Sequence, residues 1–163
     1  LLGAGADKLA LNSAAISNPS LIREMADQFG SQCVVVAIDI RKKDGAWKVH
    51  SHGGTVPTDR NAEEWAVEVE ERGAGELLLT SMDHDGTKQG FALDITRKIS
   101  KASKIPVIAS GGAGSVQHFT DLFSTDSADA ALAASIFHFH EVAIPDLKQL
   151  LHAERIPVRL ITS

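Results

Sequence analysis

A single cysteine among 163 residues, Cys33, leaves no internal disulfide to form. It opens the apolar run Cys33–Ile38 and reads as a buried, inert thiol in a reducing, cytoplasmic compartment. No stretch reaches the roughly 18 consecutive apolar residues of a membrane helix. The opening Leu-Leu-Gly-Ala-Gly-Ala lacks the basic n-region of a secretory signal. No membrane association is expected. Basic charge is in deficit, with 16 Lys and Arg against 21 Asp and Glu and a formal net charge of -5. The cations are scattered instead of gathered in a stripe, which argues against a nucleic-acid partner. A local site can still hold a phosphorylated ligand. The histidines lack metal-ligand spacing, and His138 and His140 read as surface or packing residues. The acids between Thr80 and Thr87 alternate, but the later Glu of an EF-hand is missing. No metal and no cofactor is expected. Linkers and low-complexity segments are absent, so residues 1–163 read as a single domain.

What is present is one repeating pattern. Apolar runs at Lys8–Leu11, Cys33–Ile38, Leu77–Leu79, Pro106–Ala109 and Ala130–Ala133 each end in small or polar residues. Most are nearly continuous in apolar character, as strands buried on both faces should be. Helix-length segments lie between them at Leu21–Phe29, Ala62–Arg72, Phe91–Lys101, Val116–Phe123 and Pro145–Ala153. Asp59 or Asn61 is placed to cap the second of these, and Gly30 and Gly73 stand where helices stop. Strand and helix alternating in this way predict βαβ units on a parallel sheet. The longest gap holds Trp47–Val56, which reads as a hairpin turning at Gly53-Gly54. Leu1–Ala6 reads as the end of a loop running into the first strand. Five strands fit either an open α/β sheet or a (β/α)8 barrel lacking three units, since a closed barrel needs eight strands.

The strand ends carry the chemistry. Ser110-Gly111-Gly112-Ala113-Gly114 follows one apolar run, and Ala133-Ala134-Ser135-Ile136 closes the next. Backbone N–H groups of such loops can cradle a phosphate, a common device in (β/α)8 enzymes. The plain alternative is a pair of ordinary turns built from small residues. Asp39 closes Val34–Ile38 and is a candidate general acid/base at the active-site end of a strand. Its alternatives are a helix cap or an ion pair with Arg41, Lys42 or Lys43. Thr80–Thr87 reads as a substrate-binding loop with Thr80 and Asp85 facing the ligand, or as a turn whose acids cap a helix. Asn12 and Ser13 end the first strand, where they either cap a helical turn or donate to a second anion.

Taken together, these strings resemble the cyclase subunit of imidazole glycerol phosphate synthase. The matching segments are Gly5-Ala6-Asp7-Lys8 with Asn12, Phe29-Gly30-Ser31-Gln32, Val35–Asp39, Gly73-Ala74-Gly75-Glu76, Leu79–Asp83, Asp85-Gly86-Thr87, Ile108–Gly114 and Ala128–Phe139. A related isomerase of the same pathway shares fold and phosphate sites, but Phe29–Gln32, Thr80–Asp83 and His138-Phe139 favour the cyclase. The resemblance implies a partial (β/α)8 TIM barrel of about five βα units, from the fourth strand onward. It implies acid/base work by Asp39. One phosphate site is expected at Ser110, Gly111, Gly112, Ala134 and Ser135, and part of another at Asn12 and Ser13. Thr80, Asp85 and Gly86 are expected around the substrate. Lys8 and Glu76 match members of an ammonia gate at the barrel's bottom. The implied partners are a glutaminase subunit that supplies ammonia and a bisphosphorylated small-molecule substrate. The family's second catalytic aspartate belongs to a first strand this chain lacks, so little activity is expected of the chain alone. A phosphate-binding half-barrel without catalysis, or self-association through uncovered strand edges, are the other outcomes the sequence allows.

Overall fold

The computed structural model describes residues 2–160. Five strands run parallel: β1 (Leu9–Leu11), β2 (Val34–Lys43), β5 (Glu76–Ser81), β6 (Val107–Ser110) and β7 (Ala130–Leu132). β3 (Ala46–Ser51) and β4 (Val56–Asn61) add antiparallel to the carboxyl half of β2. The sheet order is β4-β3-β2-β5-β6-β7, with β1 pairing the first residues of β2. The helices are α1 (Ser13–Ser17), α2 (Ser20–Phe29), α3 (Ala62–Glu71), α4 (Leu93–Ala102), α5 (Val116–Ser124), α6 (Ser135–His138) and α7 (Ile144–Ala153). Five parallel strands alternating with helices form part of a (β/α)8 barrel. The expected loop at Leu1–Ala6 holds a 3-10 turn at Leu2–Ala4, and Leu1 lies outside the described residues.

Alternation along the strands sorts the residues into two faces. Val34, Val36, Ile38 and Ile40 of β2, Leu77 and Leu79 of β5 and Val107 of β6 pack in one cluster with Ile22, Trp65, Val69, Ile95 and Ile99 from α2, α3 and α4. A second cluster joins Ala109 to Phe119, Leu122, Ile136, Leu147 and Leu151 from α5, α6 and α7. The other face contributes nothing to either cluster: Val35, Ala37, Leu78, Ile108 and Ala130 are absent from both. In a (β/α)8 barrel that second face lines the interior.

Local chemistry explains the boundaries. The Asn61 side chain accepts from the backbone N–H groups of Glu63 and Glu64 at 2.8 and 3.2 Å, so Asn61 is the cap of α3 and Asp59 lies inside β4. Several expectations shift. β2 does not stop at Ile38 but continues to Lys43 and turns at Asp44-Gly45, a turn the reading of Trp47–Val56 missed. Continuing β2 gives the hairpin a partner strand, which three consecutive charged residues, Arg41–Lys43, conceal in the sequence. Cys33 ends a short 3-10 turn ahead of β2 and is half-buried, not packed inside the strand. α4 begins at Leu93, not Phe91, because Phe91 and Ala92 are buried as its lead-in. None of the described helices is long and apolar enough to cross a membrane.

Candidate active site

The register of the parallel strands fixes which polar residues share a level. Asp39 pairs with Thr80, Thr80 with Ser110, and Ser110 with Leu132. All four lie at the carboxyl edge and, by strand alternation, on the interior face. Ser110 is therefore the last residue of β6, not the first of the loop.

Beyond that edge two loops enclose a recess of about 160 Å³, lined by Asp85, Gly86, Ser110–Ala113 and Leu132–Ser135. Its shape depends on backbone that no side chain can enter. Gly111 and Gly112 have φ of 90° and 101°, and a Cβ on Gly112 would stand 1.9 Å from the Gly90 carbonyl oxygen. Gly90 N–H in turn donates to the Gly112 carbonyl at 2.8 Å, which ties the loop after β5 to the loop after β6. The β5 loop is folded on itself: the His84 and Asp85 N–H groups donate to the Ser81 carbonyl, and the Ser81 hydroxyl meets His84 Nδ1 at 2.8 Å. Outside the recess, Lys88 pairs with Glu141, joining that loop to the segment after α6. α5 starts directly after the glycines, and its cap residue Ser115 makes no side-chain cap bond. The positive end of α5 therefore faces the loop, an arrangement that in general favours anions.

Asp39 is 8% exposed, and its Oδ2 accepts from Asn12 Nδ2 at 2.9 Å. It is neither a helix cap nor, among the described residues, the partner of a nearby cation. Arg41 and Lys42 pair instead with Asp83 and Asp94. The Asn12 side chain makes no cap bond to α1, although Asn12 occupies the cap position. Ser13 Oγ accepts from the backbone N–H of His52 in the β3–β4 turn at 2.8 Å. Asp85 and Gly86 are exposed on the recess wall, and α4, the next helix, has Ala92 at its cap position and no side-chain cap bond, so Asp85 does not cap it. Lys8 and Glu76 lie at the opposite, amino edge. Glu76 is level with Val35 on the interior face and is bonded to Lys8 just ahead of β1. His138 and His140 are exposed.

The structure thus gathers Asp39, Asn12, Ser13, Thr80, Asp85, Gly86, Ser110–Gly112, Ala134 and Ser135 at one end and sets Lys8 and Glu76 at the other. Sequence reasoning missed the Asn12–Asp39 bond, which joins residues 27 positions apart. It also missed the docking of the hairpin turn on Ser13, for which His52-Gly53-Gly54 was the available signal.

Fold and site together define a (β/α)8-type chain whose interior face ends in an acid and a glycine-lined recess. A family model described as "Histidine biosynthesis protein" matches residues 1–143, and the chain belongs to this family. Curated relatives named "Imidazole glycerol phosphate synthase subunit HisF" are similar along nearly the whole chain. The protein from Cytophaga hutchinsonii is 61% identical over 158 residues, covering 97% of this chain and 63% of the relative. That from Flavobacterium johnsoniae is 59% identical over 160 residues, covering 98% and 64%. One from Clostridium botulinum is 57% identical over 163 residues, again covering 98% and 64%. The chain spans less than two thirds of the length of these relatives.

Proposed function

We propose that the chain is the portion of an imidazole glycerol phosphate synthase cyclase subunit that runs from the fourth barrel strand onward, folded as one domain and working in the cytoplasm. In this reading ammonia from a glutaminase subunit reacts with the bisphosphorylated formimino derivative of aminoimidazole carboxamide ribonucleotide. The products are imidazole glycerol phosphate, aminoimidazole carboxamide ribonucleotide and water. Asp39 moves a proton on the substrate, and Asn12 holds its carboxylate in place. One phosphate sits in the recess against Ser110, Gly111, Gly112, Ala134 and Ser135. The other lies near Asn12 and Ser13, while Thr80, Asp85 and Gly86 contact the substrate between them. Lys8 and Glu76, at the amino edge, stand where ammonia would enter from the partner.

The observation that carries this reading is the level Asp39–Thr80–Ser110–Leu132, which sets an acid and a glycine-lined recess at one edge of one sheet face. Its chemistry is general acid/base catalysis on a ligand anchored by its phosphates.

The test is ammonia-dependent turnover. The chain alone is expected to have little or none, because three strands and the second catalytic acid are outside it. In a protein of the relatives' full length containing this chain, Asp39→Asn is expected to lower kcat roughly 10²- to 10⁴-fold with substrate binding retained. Clear turnover by the chain alone, or an Asp39→Asn enzyme with unchanged kcat, contradicts the proposal.

A further inference from the structure

The β3–β4 turn is held more firmly than a surface turn requires. Its residue His52 sits at φ 53°, a left-handed conformation uncommon outside glycine. The Thr55 N–H donates to the Ser51 carbonyl at 3.1 Å, and the Thr55 hydroxyl to the His52 carbonyl at 2.7 Å. Gly54 is buried, and a Cβ there would lie 2.6 Å from Met82 Cε. The turn therefore touches Ser13, after β1, through the His52 N–H, and Met82, after β5, through Gly54. β2 lies between β1 and β5, so the turn crosses the mouth beside Asp39. Strained backbone kept in place by its surroundings is a recurring feature of ligand clamps.

The hydrogen-bond directions suit an anion. Ser13 Oγ accepts from His52 N–H, which uses one lone pair and leaves its own proton to donate outward. The His52 ring is exposed, and its Nδ1 lies 3.0 Å from the Ser51 hydroxyl. The alternative acceptor for that hydroxyl, the Val56 carbonyl, is at 3.4 Å. The shorter contact favours a Ser51 O–H donating to Nδ1. In that arrangement Nε2 carries the hydrogen. An Nε2–H donor on an exposed ring and a Ser13 O–H donor then stand on residues bonded to each other.

We propose that His52 is a further binding residue, donating from Nε2 to the phosphate held at Ser13 and so completing the second anion subsite from the hairpin side. The proposal rests on reading Asn12 and Ser13 as that subsite, and it adds a specificity element from the hairpin turn.

The experiment is a titration of the full isotope-labelled chain with inorganic phosphate, following the Ser13 and Gly112 amides and the His52 imidazole by NMR. The His52 ring and the Ser13 amide are expected to shift together with one Kd. His52→Ala is expected to raise that Kd about fivefold, as loss of one charge-assisted donor at an exposed site would. The Kd read at Gly112 should stay unchanged, which also reports that the variant is folded. His52→Asn, which tolerates the left-handed backbone, keeps the turn but not the ring, and should weaken Ser13-site binding as well. If both variants bind at Ser13 with wild-type affinity, the role of His52 is overturned and the two-phosphate reading stands. If phosphate moves Gly112 but neither Ser13 nor His52, the second subsite itself is absent and the inference falls with it.

Discussion

Gly112 is the residue on which the recess most depends. Its φ of 101° and the 1.9 Å approach of the Gly90 carbonyl to an added Cβ leave no room for a side chain, and the obstacle is backbone, which cannot swing aside. Gly86 offers a control within the same recess: its φ is 74°, but a Cβ there meets nothing within 4 Å. Gly86→Ala bears only the conformational cost of the left-handed region, about 1 kcal/mol, whereas Gly112→Ala adds displacement of the loop and should cost about 3 kcal/mol or more. Urea unfolding of the two variants measures the difference, and equal losses contradict a tightly packed recess. The glycine pair was legible in the sequence because adjacent glycines directly after an apolar run mark a tight backbone turn at a strand end. The environment of Asp39 was not. Asn12 reads locally as a helix cap, and only the pairing of β1 with β2 brings its amide to the carboxylate. Nearby cations in the sequence likewise suggested an ion pair, but Arg41 and Lys42 are taken up by acids from other elements, Asp83 and Asp94.

At the scale of elements, the parallel strands and most of the helices were readable because buried strands leave apolar runs and helices leave caps. The hairpin was only half readable. Its second turn shows as Gly53-Gly54, but the first, at Asp44-Gly45, follows charged residues that do not look like strand until the pairing with β3 is seen. α3 joins this hairpin to the barrel: Asn61 ends β4 and caps α3, and Trp65 packs from α3 into the core shared with Trp47 and Val49 of β3. Asn61→Ala removes two cap bonds without opening a cavity. It should cost about 1 kcal/mol, read as a lower urea midpoint with the slope unchanged. A loss near zero means that packing of Trp65 alone holds the start of α3.

For the molecule as a whole, the asymmetry of the sheet is the central fact. One face is covered by helices in two hydrophobic clusters, and the other carries Glu76 at its amino edge and Asp39 with the recess at its carboxyl edge. Under the proposed function, the carboxyl edge takes the phosphorylated substrate and the amino edge admits ammonia, with the barrel interior between. The chain spans about 64% of its relatives, so the remaining barrel wall lies outside it. The measurement that bears most directly on this account is a crystal structure of the chain with imidazole glycerol phosphate. The account predicts the phosphate between the Ser110–Ala113 and Leu132–Ser135 backbones, with the imidazole end turned toward Asp39. Phosphate bound at the amino edge beside Lys8 and Glu76, with the glycine recess empty, would contradict it.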